Sequence, residues 1–215
     1  MLFILNEVSL ADMFTKKAIE IFNQATADFK KSGSINQLLT NRYNHEEEYI
    51  ESLLYKKSWI DTIQWAYEDI IRDPEIDPIE ALNLKRKIDS SNQERTDTVE
   101  LLDEYFLKKY SDIKVLESAT INTESPAWAL DRLSILELKI YHMNIETNRL
   151  DATENHKSNC SLKLAVLIQQ RDDLSTAIDE LLDEISSGKK YMKTYKQMKM
   201  YNDQELNPIL RKNKQ

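Results

Sequence analysis

The sequence predicts an all-α protein: a helical bundle of about five to six long helices, including an antiparallel hairpin of the fourth and fifth. Three observations carry this expectation. Only two glycines and four prolines occur among the 215 residues, too few for the frequent turns of a sheet protein. Charged residues make up 31% of the chain and hydrophobic ones 41%, which suits amphipathic helices and supplies enough apolar surface for a core. Apolar residues also recur at three- and four-residue spacing over long stretches. A single helical domain over residues 1–215 is expected, long enough to bury a core without covalent staples.

The first helix is expected over residues 9–31, with Phe14, Ala18, Ile21, Phe22, Ala25 and Phe29 on one face and Gly33 ending it. It forms, with the loop after it, an N-terminal region 1–48. The acidic run Glu46, Glu47, Glu48 suits a helix start. A helical pair follows over 49–109. Its first member runs from Tyr49 to Arg72 and stops before Pro74, because the residue before proline is pushed out of the α region. Asp77-Pro78 reads as an N-cap with proline in the first turn of the next helix, which extends to Lys109. The short corner makes the two helices packing neighbours.

Residues Tyr110–Ser125 form a connection without clear period, and Ser125-Pro126 again reads as cap and start. The fourth helix carries Leu133, Leu136, Ile140 and Met143, and the fifth Leu167, Leu174, Ile178, Leu181 and Ile185. Two such seams across the polar stretch 151–159 predict a long hairpin over 126–187. Nothing in that stretch forbids helix, so the turn is not placed. Gly188 is a C-cap candidate. In the basic tail 188–215, Tyr191, Tyr195, Met198 and Tyr201 would line a final short helix, and Pro208 would end regular structure.

The formal net charge of −8 argues against general nucleic-acid binding, which needs a basic surface. The single cysteine, Cys160, excludes an intramolecular disulfide and fits a reducing compartment. The N-terminus lacks a basic region ahead of its apolar residues, unlike a secretory signal. No run approaches the roughly 18 apolar residues of a membrane span. A cytoplasmic protein is expected.

The informative residues are polar ones recurring on faces that should be apolar. Asp61, Gln64, Trp65, Glu68 and Arg72 form one stripe on the second helix. Arg86, Asp89, Gln93, Thr96, Asp97 and Glu100 form another on the third. The fourth helix is apolar nearly all round, which suits a central position, yet it carries Asp131, Arg132, Lys139, His142 and Glu146. Charged groups buried there need a partner or a ligand. The functional reading is a polar pocket between helices two, three and four. The plain reading is solvated faces and a structural network. Trp59 and Trp65 are read first as core and second as ligand-stacking rings.

Metal and nucleophile patterns are sparse. No Glu-x-x-His pair occurs, and a zinc site would have only His156 and Cys160 to start from. Asp97, Glu100 and Asp103 step by three along the third helix, a spacing that can hold magnesium. Ser134 shares a helix with His142 but sits in no Gly-x-Ser-x-Gly elbow, and no glycine-rich phosphate loop exists.

The runs SWIDTIQWAYEDIIRDPEIDPIEALNLKRKIDSSNQERTDTVELLDEYF, NTESPAWALDRLSILELKIYHM and KTYKQMKMYNDQELNP resemble, in this order, a bacterial family of uncharacterised helical proteins, the domain of unknown function 4254. The resemblance covers about residues 53–208. It implies an all-α fold and brings no established activity or catalytic residue. Members are often encoded near glycosyltransferases for cell-surface polysaccharide, which implies an envelope-glycan context. Its motif residues include Trp59, Asp61, Gln64, Arg95, Asp131, Lys199, Tyr201 and Asn202. The pattern LKRKID…ELL is also similar to the first helix of AroQ-type chorismate mutases.

These readings lead to three expectations. The first is an internal pocket for a small anionic ligand, a nucleotide or sugar phosphate. Gln64, Glu68, Arg72, Arg86, Asn92, Gln93, Arg132 and Lys139 would bind it, with Asp89, Asp131 and His142 as catalytic candidates. The second is a non-enzymatic partner or scaffold of a glycosyltransferase that uses the long hairpin and basic tail, with a homo-oligomer also compatible. The third is a magnesium-dependent phosphohydrolase built on Asp97 and Glu100.

Overall fold

The protein is an all-α bundle. The structure, a computed structural model, describes residues 10–197, 200 and 203–212. Five long helices build it: α1 (Leu10–Ser32), α2 (Tyr49–Ile70), α3 (Pro78–Lys109), α4 (Pro126–Thr147) and α5 (Glu154–Ser186). A five-residue α6 (Pro208–Lys212) follows near the C-terminus.

Local chemistry sets the helix starts. The Asp77 carboxylate accepts from the backbone N–H groups of Ile79 and Glu80 at 2.9 and 3.0 Å, with Pro78 in the first turn. The Ser125 hydroxyl accepts from Trp128 N–H at 3.4 Å ahead of Pro126. These bonds satisfy N–H groups that the helix itself cannot. The hairpin turn falls at residues 148–153, where the Thr153 hydroxyl accepts from His156 N–H at 3.2 Å and starts α5.

Helix α4 is central. It packs against α1, α2, α3 and α5, whereas the backbones of α3 and α5 nowhere approach each other. The core gathers around it: Leu130 and Leu133 join Phe22, Leu54, Leu102 and Phe106 in one buried cluster. Aromatic rings meet edge to face within it, Phe14 with Phe106 at 5.7 Å and Phe29 with Trp59 at 5.4 Å. Burial on α4 runs from Pro126 to Leu138. Towards the far end of the α4–α5 hairpin, Ile145, Leu150, Leu162 and Val166 are exposed.

The region after α5 departs from the expected short helix. Gly188 takes φ 71°, and the Gly188 and Lys189 N–H groups close back onto Ile185 and Glu184 carbonyls, which ends α5. The reversed chain then meets the connection after α3. Leu116 N–H donates to Gly188 O, and Thr120–Ile121 (β1) pairs in parallel with Lys190–Tyr191 (β2). A Cβ on Gly188 would collide with the Lys114 carbonyl, so both φ and space require glycine. Tyr191 therefore lies in a strand and Tyr195 in irregular chain, while Met198 and Tyr201 lie outside the described residues. Pro208, expected to end regular structure, begins α6 instead. The Asn207 side chain accepts from Ile209 N–H at 2.9 Å, another cap followed by proline. Among the described residues no helix is long and apolar enough to cross a membrane.

Candidate functional site

Where α2, α3 and α4 meet, four charged side chains and a serine interlock. Lys57 and Asp61, one turn apart on α2, are 0% and 2% exposed. The Lys57 ammonium donates to Asp61 Oδ2 and lies 3.0 Å from Asp131 Oδ1 on α4. Arg95 reaches over from α3, and its Nε and Nη2 donate to Asp131 Oδ1 and Oδ2 at 2.8 and 2.6 Å. This two-pronged geometry is among the strongest that a carboxylate can receive. Ser134 Oγ donates to Asp61 Oδ2 at 2.5 Å. The remaining oxygen, Asp61 Oδ1, is 3.8 Å from Arg95 Nε, too far for a hydrogen bond. It is buried with no hydrogen-bond partner among the described residues.

The two carboxylates are pushed in opposite directions. Burial raises the Asp61 carboxyl above its ordinary range, and the Asp131 charge adds to this, against the pull of Lys57 and Ser134. Burial also acts on Asp131, but the Arg95 hydrogen bonds together with the Lys57 and Arg95 charges outweigh it and hold that carboxyl below the ordinary range. Neighbouring acids separated in this way can divide proton-holding and charge-stabilising roles.

The network forms the floor of a cleft. Because α3 and α5 flank α4 without approaching, part of the α4 surface between them stays open. The larger lobe, about 630 Å³, has Asp131, Ile135 and Leu136 of α4 beneath it. Arg95 lies on the α3 side and Gln170, Asp173 and Leu174 on the α5 side. Arg132 and Lys139 of α4 are exposed lining residues. A smaller lobe, about 260 Å³, opens between α2, α3 and α4 against Asp61, Gln64, Trp65 and Glu68. The lobes meet at Arg95 and Ile135, which line both.

The sequence-derived candidates divide between this cleft and the outer surface. Gln64, Glu68 and Arg72 line the smaller lobe, with the Arg72 guanidinium held by Glu68 at 2.6 Å. Asn92 sits behind Gln64 and accepts from its Nε2 at 2.9 Å. Arg132 and Lys139 line the larger lobe. Arg132 is paired with Glu124 at 2.9 Å, so Asp131 and Arg132, adjacent in sequence, have separate partners. His142 is half-buried. Its ring stacks on Trp65, with centroids 4.4 Å apart, and its Nε2 has no hydrogen-bond partner among the described residues. Burial and then the Lys30 charge lower its basicity, against Asp69.

Arg86, Asp89 and Gln93 lie elsewhere, on the exposed side of α3. Asp89 accepts from Lys85, and Gln93 donates to Asp97 at 2.8 Å. Glu100 accepts from the Gln197 N–H at 3.2 Å. No group of three or more His, Cys, Asp and Glu side chains fit to hold a metal ion occurs among the described residues. Lys199, Tyr201 and Asn202 lie outside them. Sequence reasoning alone passes over Lys57, the fully buried cation. Its four-residue spacing to Asp61, inside the apolar run of α2, is the signal that could have found it.

A sequence model of a protein family described as "Protein of unknown function (DUF4254)" matches residues 51–194. That span contains every residue of the network and of both lobes. No curated protein and no solved structure matches the chain.

Proposed function

The chain belongs to the DUF4254 family, and we propose that the cleft around α4 binds a small anionic ligand, a nucleotide or sugar phosphate, in the cytoplasm and in an envelope-glycan context. One observation carries this reading. The larger lobe gathers Arg95, Arg132 and Lys139, and Lys139 has no ion-pair partner among the described residues. Its two acids do not balance these cations equally, because Asp131 is already engaged by Arg95 and Lys57. Lys139 and Arg132 would take the anion, with Arg95 presented from the floor. Asp131 acts through Arg95 as a positioning residue, and the buried network keeps the floor rigid.

Thermal unfolding with nucleotides, sugar phosphates and nucleotide sugars, with and without magnesium, tests this. A ligand at about 100 times its Kd stabilises by about 2.7 kcal/mol, roughly 5–10 °C for a chain of this size. The shift is expected to disappear in Lys139→Ala and to persist in Arg86→Ala, whose side chain lies outside the cleft. No shift across the panel, or one unchanged in Lys139→Ala, overturns the proposal.

A second reading, a non-enzymatic partner or scaffold of a glycosyltransferase, rests on the far end of the hairpin. Leu150 and Leu162 are 96% and 68% exposed there, the kind of apolar surface that binds proteins. Unchanged glycosyltransferase binding by a Leu150→Glu, Leu162→Glu chain counts against it.

A further inference from the structure

We infer that the smaller lobe is a hydroxyl-recognition subsite, so that the ligand joins one sugar ring to the anionic group held in the larger lobe. The inference rests on the anion-binding reading above and extends it from a charge to a substrate class. Its starting point is a pair of buried oxygens. Asp61 and Gln64 lie three residues apart on α2, on one face, and both line the smaller lobe. Asp61 is 2% exposed, and its Oδ1 has no hydrogen-bond partner among the described residues. Gln64 donates through Nε2 to Asn92, and its Oε1 is also buried and without a hydrogen-bond partner among the described residues. Buried acceptors without donors are rare in folded proteins. Two of them on one wall of one lobe call for a ligand that brings donors.

The surroundings narrow the donor. Arg72 and Arg95 border the same lobe together with Glu68 and Asp69, so guanidinium and carboxylate charges share its wall. A hydroxyl, which both donates and accepts, can meet either kind. It can donate to the Gln64 carbonyl and to the Asp61 carboxylate, and it can accept from Asp61 when that carboxyl holds a proton. Trp65, one face of whose ring is stacked on His142, lines the lobe as well and adds apolar surface for the carbons of a sugar ring. At about 260 Å³ the lobe suits one ring and not an oligosaccharide. Its shared border with the larger lobe at Arg95 and Ile135 puts the phosphoryl group within reach of Lys139 and Arg132.

Calorimetric titration with a hexose 1-phosphate and with cyclohexyl phosphate tests this, since the two share ring size and anion and differ in the hydroxyls. The hexose phosphate is expected to bind the intact chain at least about 10-fold more tightly. Gln64→Met, which removes the amide and keeps the length, is expected to bring that ratio towards one without weakening cyclohexyl phosphate. Lys139→Met is expected to weaken both by the same factor. Equal affinities in the unsubstituted chain overturn the hydroxyl subsite, assign its buried oxygens to ordinary internal water, and leave the anion site standing. If neither compound binds, the anion site falls and this inference with it. The ratio in the unsubstituted chain decides by itself, so a Gln64→Met chain that fails to fold leaves the test intact.

Discussion

The outer row of α3 and the network beneath α4 are made from the same residue types at similar spacing, yet they have opposite fates. Lys85 with Asp89, and Gln93 with Asp97, pair along their own helix in full view of water. Lys57, Asp61, Arg95 and Asp131 pair across three helices, and three of the four are almost wholly buried. Exposed pairs four residues apart contribute roughly 0.3–0.5 kcal/mol each. Interhelical pairs in the interior carry a desolvation cost of several kcal/mol per ion, which only good geometry offsets. A polar residue at helical spacing is therefore not informative in itself. What matters is whether a second helix brings the complementary charge and takes both from water.

Asp131→Ala is expected to cost the most. It leaves the buried Lys57 with Asp61 alone and Arg95 without its two-pronged acceptor, one positive charge in excess. The expected loss is about 3–5 kcal/mol in urea unfolding, the cost of stranding a buried charge. That is a large share of the roughly 5–15 kcal/mol typical of a domain. A loss below about 1 kcal/mol would mean that the network is wetter and looser than its distances imply.

Asp28 is an intermediate case that sharpens the scale. It is partly buried and takes bonds from Arg42, Lys31 and Tyr55, at 2.7 Å from Arg42 Nη2 and 3.0 Å from each of the other two. The Arg42 hydrogen bond dominates and holds its carboxyl well below the ordinary range, against burial. A lowered folded pKa adds stability that is fully present above the unfolded value of about 3.9 and is lost as pH falls through the folded one. Asp28→Asn should therefore lower stability by roughly 1–2 kcal/mol at neutral pH. The gap to the unsubstituted chain should close as the pH drops below about 4. Paired denaturation curves at several pH values check this, and a gap that stays constant on acidification would deny the ion pair its role. The same Asp28 bond and burial push the Tyr55 hydroxyl up to about 12, burial being the larger cause.

The fold was legible where a local signal sufficed. Asp77-Pro78 and Ser125-Pro126 mark helix starts because a cap and a proline act within four residues. The central place of α4 followed from its apolar surface on nearly every side. The β1–β2 pair was not legible, since two-residue strands have no period and their register depends on where Gly188 lays the chain against Lys114. The candidate site was half legible. Gln64, Glu68, Arg132 and Lys139 lie on the cleft. Lys56 and Lys57 show why the rest was not: they are neighbours in sequence, and one pairs with Glu94 at the surface while the other is sealed in the core. About 100° of helix rotation separates their fates, and only the position of α4 decides which of them is covered.

The smallest expected effect is also the most direct test of the contrast. Asp89→Ala and Gln93→Ala remove the α3 partners whose spacing most resembles that of the buried network. Both side chains are exposed, both pair within one turn of their own helix, and neither lines the cleft. Each should change stability by no more than about 0.5 kcal/mol. Ligand-induced stabilisation should be the same as in the unsubstituted chain. A loss of about 3 kcal/mol or more, the lower edge of a buried-charge effect, would place something over this face that removes it from water. The outer row would then belong to an interface, and the distinction between local and interhelical pairing would have to be drawn at the surface of an assembly.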